Sequence, residues 1–131
     1  MALSYLESYL SKALFNQAIK VFYNRWKFKH PGPSDLQRAF EEVSGKDLDW
    51  FFFGLIRQNK RIDYKILQSS VKDDSLNIKI KNNGNLIAPF EISLYDKDNN
   101  ILFRKWYEGL ELGKTHDLAF HIPQVHRVSV N

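Results

Sequence analysis

"KHPGPSDLQRAFEEVSGKDLDWFFFGLI", residues 29–56, decides how the first half of the chain folds. Pro31 and Pro33 stop whatever helix precedes them, because proline lacks an amide and restricts the residue before it. Ser34 stands as the N-cap of a new helix, with Gln37 at the reciprocal capping-box position. Leu36, Ala39, Phe40 and Val43 then recur at i, i+3, i+4 and i+7. Gly45 follows where a left-handed C-cap is wanted. Asp47 is placed to cap a last helix that carries Leu48, Phe51, Phe52 and Leu55 inward.

Upstream, apolar residues keep helical spacing. Leu3, Leu6 and Leu10 line one face, and Leu14, Phe15, Ala18, Ile19, Phe22, Tyr23 and Trp26 line another. Ser11 either breaks this region into two helices or sits inside one, giving three or four helices in all. Downstream of Lys60 the period changes to two. "LNIKIKNNGN" alternates Leu76, Ile78 and Ile80 with Asn77, Lys79 and Lys81, and closes on an Asn-Asn-Gly turn. "FEISLYDKDNNILFRKWY" places Phe90, Ile92 and Leu94 on one face, then a polar turn and a returning strand. "IDYKILQSSV", "THDLAFHI" and "HRVSVN" bring the count to about six short strands, with no helical pattern between them. The expected fold class is therefore α+β: an N-terminal hairpin or bundle of three to four helices over residues 1–60, then an antiparallel β-sandwich over 61–131. The chain starts inside helical periodicity and stops inside a strand pattern, so both ends read as cut.

A chain of 131 residues, 44% hydrophobic and 15% aromatic, can bury a real core. With no cysteine it holds neither a disulfide framework nor a thiolate metal site, which suits a cytoplasmic or a periplasmic setting equally. No apolar run approaches the ~20 residues of a membrane span. "MALSYLESYLSKALF" carries Glu7 and polar breaks, so it reads as an amphipathic helix and not as a signal peptide. The net charge of +4 is spread, with 9 basic and 6 acidic residues in 1–60 against 10 and 9 in 61–131. The densest basic cluster is Arg25, Lys27 and Lys29 around Trp26 and Phe28. Such alternation can grip a nucleic-acid strand. Cations at a helix end also complement its dipole while their stems cover apolar surface, and this second reading is preferred.

Reactive groups at usable spacing are scarce. There is no H-E-x-x-H, no glycine-rich phosphate loop and no G-x-S-x-G elbow. His116, His121 and His126 could supply three imidazoles to zinc, but an odd separation on a strand turns successive side chains to opposite faces, and Pro123 interrupts the segment. His30 beside proline reads as a loop residue. Glu41 and Glu42, adjacent on a helix, point apart. Asp73-Asp74 and the Asp96, Asp98, Asn100 set belong to turns, where Asp is expected. Trp50, Phe51, Phe52 and Phe53 occupy four consecutive helical positions, more than one buried face accommodates. At least one ring, Trp50 or Phe53, must meet something beyond the neighbouring helices.

Tyr9-Leu10, then Tyr23 and Trp26, Phe28 to Pro31, Pro33 and Asp35, and finally "SGKDLDWFF" at Ser44 to Phe52 together resemble the end of an aminopeptidase-N-like zinc metallopeptidase, of the gluzincin type, as found in bacteria. The pattern covers roughly residues 2–66. The resemblance implies closing helices of a catalytic domain joined to an immunoglobulin-like β-sandwich. In that family two histidines on one helix and a later glutamate bind zinc, and water is the nucleophile. All of those positions lie upstream of this pattern. No catalytic, cofactor or metal residue is therefore carried over, and zinc belongs to the implied parent alone. The implied partner is the remainder of that peptidase, met through Trp50, Phe53, Tyr5 and Tyr9, with self-association of the isolated chain as a consequence. Ser11 stands where the family commonly has glycine, and Phe53 adds an aromatic where a polar residue is expected. A free-standing protein-binding module with an exposed aromatic surface is the alternative; nucleic-acid binding ranks last.

Overall fold

The computed structural model describes residues 2–27 and 29–130. Among the described residues four helices are followed by six strands, so the class is α+β, and the chain divides into two compact units, Met1–Asn59 and Lys60–Asn131. No helix among the described residues is long and apolar enough to cross a membrane.

In the first unit, α1 (Ala2–Leu10) and α2 (Lys12–Trp26) are separate helices. Ser11 makes the break with φ 84° and ψ 153°, and its hydroxyl accepts the Leu14 N–H at 3.4 Å. The helix α3 (Pro33–Ser44) begins one residue before the expected Ser34 cap. Gly32 is the N-cap and Pro33 takes the first helical position, where a missing N–H costs nothing. The Asp35 carboxylate turns back to accept the Gly32 N–H at 2.9 Å, so Asp35 takes the role expected of Gln37. Gly45 ends the helix in the left-handed region at φ 69°, donating its N–H to the Glu41 carbonyl. Leu6, Leu10, Ala18, Phe40, Leu48 and Phe51 form the buried core of this unit. Leu3, Ile19 and Tyr23, expected on apolar faces, are exposed.

The last helix, Trp50–Arg57, is a π-helix, its closing bond running from the Gln58 N–H to the Phe53 carbonyl at 2.9 Å. Asp47 does not cap it. Its carboxylate accepts the Asp49 N–H at 2.9 Å in a turn ahead of the helix, and Asp49 occupies the cap position without its side chain bonding to the helix's own N–H groups.

In the second unit every strand pairing is antiparallel. The strands β1 (Tyr64–Lys72), β2 (Ser75–Asn82) and β5 (Thr115–Phe120) form one three-stranded sheet in the order β1-β2-β5. The other three, β3 (Phe90–Tyr95), β4 (Ile101–Tyr107) and β6 (Arg127–Val130), form the second in the order β4-β3-β6. Leu76, Ile78 and Ile80 from the first sheet and Phe90, Ile92 and Leu94 from the second belong to one buried cluster. The strand alternation of β2 and β3 thus reports the core face directly.

The Asn-Asn-Gly segment after β2 is not a hairpin, since β2 and β3 lie in different sheets. Asn82, 1% exposed, organises this crossing. Its Oδ1 accepts the Gly84 N–H at 3.1 Å, and its Nδ2 donates to the Leu86 and Leu110 carbonyls at 3.1 and 2.8 Å. The Tyr64 hydroxyl secures the same loops: it donates to the Ala88 carbonyl and accepts the N–H groups of Ala88 and Leu110 at 3.3 and 3.2 Å. Burial pushes the Tyr64 phenol above its usual range, against the opposing effect of the bonds at Leu110 and Ala88.

Candidate functional site

The aromatic run is sorted by the π-helix. With each N–H reaching five residues back, the angular step per residue is smaller than in an α-helix, and neighbouring rings fan out more gradually. Phe51 points into the core and is 1% exposed. Trp50 stands edge-on to Tyr5, Tyr9 and Phe51, with ring centroids 6.0, 5.7 and 5.7 Å away. Lys46 Nζ lies 5.0 Å over the Tyr9 ring. The Trp50 Nε1–H is buried and meets no acceptor among the described residues.

Phe53 lies elsewhere on the helix. It lines a groove of about 520 Å³ with Pro33, Ser34, Gln37, Phe52, Ile56 and Arg57. Phe53 and Ile56 are 48% and 54% exposed, and the Arg57 guanidinium lies 5.9 Å from the Phe53 ring. The four residues expected at one interface therefore fall into two groups, Tyr5, Tyr9 and Trp50 in an aromatic cluster and Phe53 at the rim of a groove.

A carboxylate trio not weighed from the sequence lies beside this helix. Oxygens of Glu41, Asp47 and Asp49 come within 4.8 Å of one another. Gln37 Nε2 bridges Glu41 at 3.1 Å and Asp49 at 2.6 Å, while Glu41 Oε2 also accepts the Leu48 N–H at 2.8 Å. These bonds organise the turn from Gly45 into the π-helix, and the i, i+4 spacing of Gln37 and Glu41 is the signal that could have been read. The trio offers zinc only oxygen ligands, already engaged, and no imidazole; it does not fit a gluzincin zinc centre.

The other candidates resolve into structural partners. Glu42 pairs with Arg25 at 2.9 Å, confirming that it and Glu41 face different neighbours. The Arg25 hydrogen bond is the main cause holding the Glu42 carboxyl below its ordinary range, and the pair raises the Arg25 guanidinium in turn. Lys29 lies 6.0 Å from the Trp26 ring, and the Lys27 N–H closes α2 on the Tyr23 carbonyl. Phe28, part of the same basic cluster, lies outside the described residues. His30 is exposed. His121 Nδ1 meets Ser75 Oγ at 3.0 Å, and His126 is fixed through its backbone N–H to the Tyr95 carbonyl. Among the described residues His116, His121 and His126 are not gathered at ligand distance. Asp96 forms the β3–β4 turn, one oxygen accepting the N–H groups of Asp98 and Asn100, both at 2.9 Å.

No protein-family model and no curated protein sequence matches this chain. Among solved structures it is similar to aminopeptidase A of Legionella pneumophila, determined in complex with aspartic acid, at 18% identity and a TM-score of 0.64. The match covers 95% of this chain and 15% of that one, so the chain spans a small part of the length of the protein it resembles. The likeness is one of fold: nearly the whole chain follows the backbone of one portion of an aminopeptidase.

Proposed function

We propose that this chain is a non-catalytic C-terminal portion of a zinc-dependent aminopeptidase of the gluzincin, aminopeptidase-N-like type. Residues 1–60 complete the helical bundle behind the active site, and residues 61–131 form an immunoglobulin-like β-sandwich. The observation that carries this reading is the fold likeness to an aminopeptidase over 95% of the chain, confined to 15% of that protein. The sequence pattern from Tyr9 to Phe52 supports the finer family assignment, and the single hydrophobic cluster drawn from both sheets supports the sandwich. The parent hydrolyses N-terminal peptide bonds with zinc, ligands and a general base supplied by its other domains. Its remainder meets this chain at Tyr5, Tyr9, Trp50 and Phe53. The purified chain is expected to hold no stoichiometric zinc and to cleave no peptide. One zinc per chain surviving chelation and dialysis, or hydrolysis of an aminoacyl substrate that follows the chain through purification, overturns the proposal.

A second reading, a free-standing protein-binding module, is favoured by the exposure of Phe53 and Ile56 beside their groove. Sedimentation separates the two. A torn interface makes the isolated chain self-associate with rising concentration, whereas a module stays monomeric.

A further inference from the structure

The outer face of the β4-β3-β6 sheet carries an arrangement that the scaffold role does not use. Because Phe90, Ile92 and Leu94 face the core, Glu91, Ser93 and Tyr95 stand on the opposite side of β3. Strand register sets Arg104 of β4 and Ser129 of β6 on either side of Ser93, and Arg127 of β6 beside Tyr95. The Arg127 guanidinium lies 3.9 Å over the Tyr95 ring, and its Nη2 donates to Asn99 Oδ1 at 3.4 Å. Ser129, Ser93 and Arg104 lie near the hydroxyl of the same side chain and act to lower its pKa. Arg104 Nε also meets Ser93 Oγ at 3.4 Å. The face thus gathers one tyrosine, two guanidiniums and two serine hydroxyls.

The charges on this face do not cancel. Glu91 forms an ion pair with Arg104, its Oε2 3.8 Å from Arg104 Nε, longer than the ~2.7–2.9 Å of a charge-assisted hydrogen bond. Arg127 joins no ion pair among the described residues. A guanidinium stacked on an aromatic ring keeps its N–H edge open for a planar or tetrahedral oxyanion. The Tyr95 hydroxyl is held below the usual phenol range by the Ser129 hydroxyl first, then Ser93, with the two guanidiniums acting in the same sense. Its surroundings already favour negative charge on an oxygen at this point.

We infer that this face is an oxyanion-binding site, in which a carboxylate or phosphate group is held between Arg104 and Arg127 with the Tyr95 hydroxyl as a third donor. The shared ligand chemistry is a delocalised anionic oxygen pair, which matches the guanidinium fork. The site lies wholly within residues 60–131 and is independent of the zinc chemistry proposed for the parent.

The test titrates the full chain with inorganic phosphate and, separately, with acetate, at constant ionic strength set by chloride. Side-chain Nε–H signals of Arg104 and Arg127 are followed by NMR. Saturable shifts of both signals are expected. Saturation by phosphate alone identifies a phosphate-bearing ligand, and saturation by acetate at the lower concentration identifies a carboxylate. Loss of one forked, charge-assisted contact in Arg127→Gln is expected to weaken binding about tenfold or more. Arg127→Lys keeps the charge without the fork, guards against a folding defect, and is expected to lose most of the same affinity. Shifts that rise linearly without saturating, or that chloride reproduces, overturn the site. Full affinity in Arg127→Lys overturns the forked geometry and leaves only a diffuse positive surface.

Discussion

Ser11→Gly should stabilise this protein, whereas Ser11→Ala should weaken it. Ser11 holds φ 84° and ψ 153°, a region essentially reserved for glycine, where another residue costs about 1–3 kcal/mol. Glycine removes that strain. Against this stand the loss of a long 3.4 Å cap to Leu14, a few tenths of a kcal/mol when glycine replaces serine, and about 0.5–1 kcal/mol of extra backbone freedom in the unfolded chain. The net gain is about 1 kcal/mol. Alanine keeps the strain and loses the cap, at a cost of about 1 kcal/mol. The two variants should therefore differ by about 2 kcal/mol, and in a unit of this size each kcal/mol moves the melting midpoint by about 4–8 °C. Thermal unfolding of the full chain followed by helical circular dichroism reads the midpoints, and hydrogen exchange at the Leu14 and Phe15 amides localises the effect. A glycine variant no more stable than the alanine variant would refute the strained geometry at Ser11. The same strain gives a physical reason for the glycine common at this point in the family the sequence resembles.

Asn82→Ala strands the Gly84 N–H and the Leu86 and Leu110 carbonyls, and at about 1 kcal/mol for each lost bond it should cost about 3 kcal/mol in urea unfolding. A loss under about 1 kcal/mol would mean that water replaces the amide freely. Gly45→Ala and Gly84→Ala should differ for separate reasons. At Gly45 an added Cβ meets nothing within 4 Å and only the left-handed conformation is penalised, by about 1 kcal/mol. At Gly84 the Cβ falls 2.4 Å from the Arg61 carbonyl oxygen and 2.9 Å from the Asp63 nitrogen, so backbone must move and the loss should be the larger; equal midpoints would contradict this packing. The Asp96 carboxyl is held below its ordinary range chiefly by the Asn100 backbone N–H. A depressed carboxylate stabilises the fold above its unfolded pKa and ceases to do so as pH falls through the folded value. Asp96→Asn should therefore flatten the acid limb of the stability profile, and an unchanged limb would remove Asp96 from the titration.

The periodicity change after Lys60 was enough to separate helical from strand-forming sequence, because the 3.6 and 2.0 repeats of a buried face depend only on local backbone geometry. Gly45 was legible for a similar reason: a left-handed C-cap is satisfied within one turn. Caps that exchange partners over a few residues were less so. Pro33 at the first helical position and Asp35 turning back to Gly32 displaced the expected Ser34–Gln37 pair, since both sets of residues carry cap-forming groups. Gln37 was free to bridge Glu41 and Asp49 instead.

By itself the sequence determined the α+β class, the six strand segments and the core faces of β2 and β3. Each follows from which side of a regular element is apolar. The tertiary structure decided what depends on distant partners. It placed β2 and β3 in different sheets, joined through the Asn82 amide. It wound Trp50–Arg57 as a π-helix, so that Trp50 turns to Tyr5 and Tyr9 while Phe53 opens onto a groove. It also brought Arg104 and Arg127 to the face that carries Tyr95, from strands on either side of β3. Which strands become neighbours in a sheet, and whether a helix winds as α or π, depend on contacts with segments far away in the chain, which the periodicity of a single segment does not report.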